Sequence, residues 1–231
     1  MRFAALILTA LLWPMVSAAQ NIIAARYTDP TDRYPHGVLG DTLEWGALEL
    51  TLSNGSKRRI VLPRDRVFED LEPRLADVDL DGDLEVISIE SHQLQGARLA
   101  IHDASGLVAA NPYIGTRFRW LAPVAIADLD EDGAIEIAYV DRPHLAKILR
   151  VWRFSDSRLF QVASLQGVTN HKIGEDFISG GLRDCGAGPE MVVASRNWGS
   201  IVSVKLNATK LVARELGTFE GPQSFTTALA C

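Results

Sequence analysis

The chain has 231 residues, of which 47% are hydrophobic and 23% are charged, so its composition is that of a globular protein with a packed core rather than of a disordered chain. The formal net charge of −6 argues against nucleic acid as a partner, because phosphate binding needs a basic surface. Beyond the N-terminal segment, no apolar run reaches the roughly 18 residues that a membrane span requires, and we expect none.

The N-terminus predicts a secretory signal peptide over residues 1–19. Arg2 supplies the positive start, residues 3–16 form an apolar run, and residues 17–19 are the small residues that precede a cleavage site. Cleavage after Ala19 leaves one domain, residues 20–231, with 22 Lys and Arg against 29 Asp and Glu. We therefore expect a secreted or periplasmic protein, in a compartment where disulfides form.

The first elements of this domain show the period-two pattern of half-buried strands. Leu48, Leu50 and Leu52 alternate with polar residues, Asn54-Gly55 predicts a type I′ turn, and residues 60–62 form the returning strand. The same hairpin pattern recurs at residues 98–106, 148–156 and 201–208. The only helix that we predict in the domain is a turn or two at residues 65–71.

An acidic motif precedes the second and third hairpins. Residues 77–85 read DVDLDGDLE, and residues 128–136, at a shift of 51, read DLDEDGAIE. Self-similarity at such a period is typical of propellers and other repeat proteins. The two motifs therefore mark equivalent points of two structural repeats.

Two weaker copies extend the repeat in both directions. The copy at residues 182–190 keeps Asp184 and Glu190 but has Leu182 and Gly186 at the first and fifth positions. A faint upstream copy places Asp29 opposite the third position of the motif. Four units, near residues 22–72, 73–122, 123–175 and 176–231, then fill the domain.

Each unit offers one strand before the motif, one after it, and the two strands of a hairpin. Four antiparallel strands in about 50 residues are the content of one propeller blade. No alternation of strands and helices supports a parallel sheet. The predicted fold class is therefore all-β, a β-propeller of about four antiparallel four-stranded blades.

Each full motif predicts a calcium loop. Carboxylates at the first, third and fifth positions converge when the chain curls, glycine at the sixth permits the reversal, and the seventh residue offers its backbone carbonyl. The last carboxylate, at the ninth position, opens directly into a strand, which argues against a helix–loop–helix site. The predicted ligands are Asp77, Asp79, Asp81, Asp83 and Glu85 in one loop, and Asp128, Asp130, Asp132, Ala134 and Glu136 in the other. The loop Leu182–Glu190 has too few oxygen ligands, and we expect it to lack calcium.

At these residues the chain resembles the FG-GAP or VCBS repeats of integrin-α-type propellers, which are common in exported bacterial proteins. The resemblance is specific at residues 77–85 and 128–136, weaker at 184–190 and faint at Asp29. It implies that each loop joins the first and second strands of a blade and holds calcium that stiffens the propeller. Members of this family usually have more than four blades, which leaves a four-bladed ring, a self-associating half-ring and an open fragment as alternatives.

The two cysteines, Cys185 and Cys231, predict a disulfide, because an even pair in an exported protein is usually bonded. Cys185 lies in the degraded motif and Cys231 is the last residue. Residues 226–231 align with the first strand of a unit, so we expect a C-terminal strand that pairs beside the first blade and is held by this disulfide.

Three functions remain open from the sequence. The first is a non-catalytic, calcium-binding module for a protein or carbohydrate ligand, because no catalytic motif is present. The second is a hydrolase or lyase acting on polysaccharide or phosphoester, which predicts an acidic cluster away from the calcium loops. The third is a structural subunit that self-associates into a larger ring.

Overall fold

The structure is a computed structural model, and it describes residues 21–231. The predicted signal peptide, residues 1–19, lies outside the described residues. In chain order, the elements are β1 (Ile22–Thr31), β2 (Glu44–Leu52), β3 (Lys57–Val61), β4 (Arg66–Phe68), β5 (Arg74–Ala76), β6 (Glu85–His92), β7 (Gly96–Asp103), β8 (Gly106–Ala110), β9 (Leu121–Ala127), β10 (Glu136–Asp141), β11 (Ile148–Ser155), β12 (Arg158–Gln166), β13 (Val168–Thr169), β14 (Gly181–Asp184), β15 (Pro189–Ser195), β16 (Ser200–Asn207), β17 (Lys210–Thr218) and α1 (Gln223–Leu229). The prediction of an almost entirely β protein is confirmed.

Three successive units are four-stranded and antiparallel, with neighbouring strands paired in chain order. They are β5 to β8, β9 to β12, and β14 to β17, with the short β13 added beside β15. In each unit the first two strands flank a motif loop, and the last two form the predicted hairpin. Asp156 and Ser157, at the turn between β11 and β12, have φ values of 50° and 56°, as a type I′ turn requires.

The first unit departs from this plan. It consists of β1, β2 and β3, and β4 links it to the second unit by pairing with both β2 and β6. Asp29, the expected faint motif residue, lies inside β1 rather than in a loop and forms an ion pair with Arg59. The first unit therefore contains no counterpart of the acidic motif loop.

Two local predictions in the first unit are wrong. The hairpin at Asn54-Gly55 exists, but only Gly55 has a positive φ, and the backbone N–H of Leu52 donates to Ser56 O, which makes a three-residue loop. Residues 66–68 are strand β4 rather than a helix. Val67 and Phe68 are fully buried beside β6, so tertiary pairing overrides the weak local preference for a helix.

The core lies between successive units. The second strand of the third unit, β10, is buried at all six positions, because sheets cover both of its faces. One cluster of buried side chains joins the first and second units, another joins the second and third, and a further one joins the third and fourth. The units therefore pack face to face in chain order.

Segments from the first and fourth units also meet. The N–H of Gly174, in the connection that precedes β14, donates to Val38 O in the connection between β1 and β2. Val38 is buried in the same cluster as Ile87 and Tyr139. This hydrogen bond joins two connecting segments, whereas a complete four-bladed ring stays a prediction.

The C-terminus forms a helix, and the predicted closing strand at residues 226–231 is wrong. Phe225, on α1, is 4% exposed and packs against Val192, Ala194 and Ile201 of the fourth unit. The apolar residues of this segment therefore cover one face of the sheet instead of extending its edge. The disulfide between Cys185 and Cys231 is confirmed, with 5.6 Å between the two Cα atoms. Among residues 21–231, we find no helix with the length and hydropathy needed to cross a bilayer.

Candidate metal centres

The loop between β5 and β6 is organised by its own backbone. The carboxylate of Asp77 accepts hydrogen bonds from the N–H groups of Asp81 and Gly82, each at 3.1 Å. The carboxylate of Asp81 accepts from Asp83 N at 2.9 Å, and Glu85 Oε2 accepts from Val78 N at 2.9 Å. These four bonds hold the chain in a tight curl that starts and ends at the same point of the sheet.

The loop between β9 and β10 repeats all four hydrogen bonds. The carboxylate of Asp128 accepts hydrogen bonds from the N–H groups of Asp132 at 3.1 Å and Gly133 at 2.9 Å. The carboxylate of Asp132 accepts from Ala134 N at 3.0 Å, and Glu136 Oε2 accepts from Leu129 N at 2.8 Å. The equivalent sequence positions therefore adopt the same local structure.

The curl requires two left-handed residues in each loop. Gly82 and Gly133, at the sixth position, have φ values of 94° and 90°, as the sequence predicts for a reversal. The fourth position is also left-handed, with φ of 62° at Leu80 and 59° at Glu131. Sequence reasoning missed the fourth position, because neither leucine nor glutamate signals this conformation.

Each loop brings three carboxylates together. One oxygen from each of Asp77, Asp79 and Glu85 lies within 4.8 Å of the other two, and Glu85 is 5% exposed. Asp128, Asp130 and Glu136 form the second cluster under the same limit, with Glu136 fully buried. The two acidic clusters could each hold a metal ion, and they contain the predicted ligands at the first, third and ninth positions.

The other predicted ligands lie outside these clusters. Asp81 and Asp132, at the fifth position, cap the N–H of the residue two positions later. Asp83 and Ala134, at the seventh position, are also not cluster members. A metal ligand role for these four residues stays a prediction.

Burial and mutual repulsion make the first cluster electrostatically unfavourable. The pKa of Glu85 is raised to about 7, mainly by burial and also by the charges of Asp79, Asp81 and Asp77, while the hydrogen bond from Val78 N opposes the rise. The pKa of Asp79 is raised as well, by burial and then by Asp81. Such a cluster favours a proton or a cation in its centre.

The second cluster has a basic side chain in contact with it. Arg153, on β11, donates from Nε to Glu136 Oε1 at 2.6 Å, and its Nη1 lies 2.9 Å from Asp132 Oδ2. Burial raises the pKa of Glu136, and the guanidinium of Arg153 opposes that rise. Sequence reasoning missed Arg153, because it lies 17 positions beyond the motif and only strand pairing places it there.

The degraded third loop contains no cluster of this kind. Asp184 accepts from the N–H groups of Gly186 and Gly188, and Glu190 is paired with Arg183 at 2.7 Å. Cys185 of this loop is bonded to the chain terminus. Protein groups therefore satisfy the two carboxylates that this loop retains.

A separate acidic group lies outside the motif loops. Glu44, Glu69 and Asp70 are all 3% exposed or less. Glu69 pairs with His36 and accepts from Ser91 Oγ, and burial raises the pKa of Glu44 to about 10, with a further contribution from Glu69. These carboxylates are buried within the protein rather than displayed at its surface.

Comparison with protein families supports this description of the loops. Residues 77–139 match the model of the FG-GAP-like repeat. The matched FG-GAP-like segment begins at the first motif, includes β6 to β9, and ends within β10 after the second motif. The comparison with curated proteins gave no match. An FG-GAP-like repeat in antiparallel four-stranded sheets indicates a β-propeller-like interaction module.

Proposed function

We propose that this protein is an exported, calcium-stabilised β-propeller that binds a protein or carbohydrate ligand and has no catalytic activity of its own. The observation that carries the metal part is the duplicated loop, in which three carboxylates converge with the same hydrogen bonds in two separate units. Two independent copies of one arrangement are hard to explain as solvated turns, because clustered carboxylates repel one another without a cation.

Calcium fits these clusters better than a smaller ion does. Calcium takes oxygen ligands at about 2.3–2.6 Å, so ligand oxygens on opposite sides of the ion lie about 4.6–5.2 Å apart. Three oxygens that all lie within 4.8 Å of one another are close enough to approach one calcium ion together. Magnesium usually keeps several waters and is held by only one or two carboxylates, so a cluster of three carboxylates favours calcium.

Export is supported by two features. The N-terminal segment has the three regions of a signal peptide, and the bond between Cys185 and Cys231 is typical of oxidising compartments. Secretion with cleavage after Ala19 is tested by expressing the full chain and sequencing the N-terminus of the exported protein. An unprocessed N-terminus would contradict it.

Catalysis by the acidic group outside the loops has little support. A glycosidase needs carboxylates that touch the sugar, whereas Glu44, Glu69 and Asp70 are buried. We therefore place the ligand surface at the end opposite the motif loops, where the connection before β9 arranges side chains suited to binding. Arg117 Cζ lies 4.3 Å from the centre of the Phe118 ring. The ring of His36 also stacks on Phe118, with 5.1 Å between the two ring centres.

Phe118 is held in a left-handed backbone conformation, with φ of 54°, and such strain is often kept at binding surfaces. Arg117 is exposed, whereas Phe118 and His36 are partly exposed, and aromatic and cationic groups of this kind bind sugar rings and protein side chains. Binding to an array of neutral and acidic glycans tests the carbohydrate alternative. We expect Phe118→Ala to lose the signal while its melting temperature stays within a few degrees of wild type; an unchanged signal would remove this surface from the proposal.

Calcium is expected to stabilise the folded protein. At a hundredfold excess over the dissociation constant, each site adds about 2.7 kcal/mol to the free energy of unfolding by mass action. Thermal melts in calcium and in a chelator should therefore differ by several degrees. The control is Asp79→Asn combined with Asp130→Asn, which should melt at the same temperature in both buffers. A wild-type melting temperature that is the same in calcium and in the chelator would refute the metal part of the proposal.

The pH dependence follows from Glu85. In a chelator, its pKa is about 7 in the folded protein against an ordinary 4.5, so between these values the folded state holds a proton that the unfolded state releases. The free energy of unfolding should therefore fall as pH rises from about 4.5 to 7. With calcium present, the metal replaces this proton, and its affinity should rise over the same window. Urea titrations of wild type and Glu85→Gln measure the first effect, and the variant should show a smaller slope than the wild type.

A further inference from the structure

The residue opposite the last carboxylate of the motif differs between units. In the third unit, Glu136 pairs directly with Arg153 across β10 and β11. In the second unit, the pairing of Val86 with His102 brings Asp103 beside Glu85 at the ends of the two strands. One strand position thus carries an acid in one unit and a base in the next.

Arg153 contacts the second cluster at several points. Its guanidinium bonds to Glu136, lies 2.9 Å from Asp132 Oδ2 and 3.5 Å from Asp130 Oδ1. Glu136 and Asp130 are two of the three residues in the cluster. The guanidinium therefore already neutralises carboxylates that a metal ion would bind.

The first cluster has no such partner. Among residues 21–231, no salt bridge involves any carboxylate of the loop at residues 77–85. A cleft of about 270 Å³ beside this loop is lined by Asp79, Asp81, Glu85 and Asp103, with Ile22 and Phe154 from the units on either side. The negative charge of this loop is thus left for a mobile cation.

The fourth unit also carries a basic residue at this strand position. The pairing of Met191 with Val204 brings Lys205 beside Glu190, and Lys205 Nζ donates to Ala187 O within the degraded loop. A basic residue therefore stands at this strand position in both the third and the fourth unit.

We propose that Arg153 acts as a tethered cation in the loop at residues 128–136, so that the two motif loops differ in calcium affinity and the loop at residues 77–85 is the tight site. This inference rests on the proposed calcium binding. Calcium can enter the second loop only if the guanidinium gives up its charge-assisted hydrogen bonds. The second loop therefore binds calcium at least about tenfold more weakly than the first, a difference of about 1.4 kcal/mol.

The test is calorimetric titration of metal-free protein with calcium chloride. Wild type should show one tight and one weaker site, and Arg153→Met should strengthen the weaker site at least tenfold. Arg158→Met, at the exposed start of β12, removes the same charge without touching the cluster and should leave both affinities unchanged. Asp130→Asn identifies the weaker site by abolishing it.

If Arg153→Met fails to fold, the opposite change tests the inference: a basic residue is placed at Asp103, the position in the second unit that corresponds to Arg153. Asp103→Arg should weaken the tight site at least tenfold. Asp103→Asn is the matched control, because Asp103 Oδ1 accepts the hydrogen bonds of Ser105 and Gly106 and an amide oxygen can do the same. Two sites of equal affinity that neither Arg153→Met nor Asp103→Arg changes would overturn only the role of Arg153. If no variant takes up calcium, both the role of Arg153 and the proposed calcium binding are overturned.

Discussion

Replacing Cys185 and Cys231 with serine is expected to lower the free energy of unfolding by about 3–4 kcal/mol. The bond links residues separated by 46 positions. On the chain-entropy model, closing a loop of this length removes conformational entropy from the unfolded state and raises its free energy by about that amount. Urea denaturation of the oxidised wild type and of the double variant measures the difference.

The loss should also be local. Without the bond, α1 is held to the fourth unit mainly by Phe225 and its neighbours in one apolar cluster, so we expect faster amide exchange over residues 223–229 than in β15. The wild type in reductant is the matched control, since it has the same sequence as the oxidised protein. A double variant as stable as the oxidised wild type would show that helix packing alone fixes the C-terminus.

Gly180→Ala is expected to cost about 2–5 kcal/mol. Gly180 has φ of 84°, and a Cβ added there would lie 2.0 Å from the backbone oxygen of Val192 in the paired strand. The left-handed conformation costs an alanine about 1–2 kcal/mol, and displacing a backbone group in a packed sheet adds about 1–3 kcal/mol. The measurement is the midpoint of urea unfolding at constant slope.

Gly55→Ala separates the two contributions. Gly55 has nearly the same φ, 80°, but a Cβ added there meets nothing within 4 Å. Its cost should be only that of the backbone conformation, about 1–2 kcal/mol. Equal losses in the two variants would mean that β14 and β15 separate easily at Gly180.

The two acidic motif loops could be located from the sequence because their structure is local. The four hydrogen bonds of each loop lie within nine consecutive residues, so the positions of aspartate, glycine and glutamate were enough to locate each loop and its chain reversal. The hairpins were predictable for the same reason, since alternation and turn residues act over a few positions. The left-handed fourth position was missed because its residue type varies, from Leu80 to Glu131.

Tertiary contacts decided the features that local patterns did not. Residues 66–68 join β2 and β6 as strand β4 because Phe68 is buried between them, and α1 forms where a strand was predicted because Phe225 finds an apolar sheet face. The neutralisation of one loop by Arg153 depends on the register of β11 against β10.

From the sequence alone come the repeat, the β class, the acidic loops and the disulfide, each of which depends on residue types at short or regular spacing. Only the folded chain determines which carboxylates converge, which of them meet a guanidinium, and where the C-terminus packs. The physical reason is that charge neutralisation and apolar burial act between residues that are distant in sequence, and their pairing is set by strand register and sheet packing rather than by local preference.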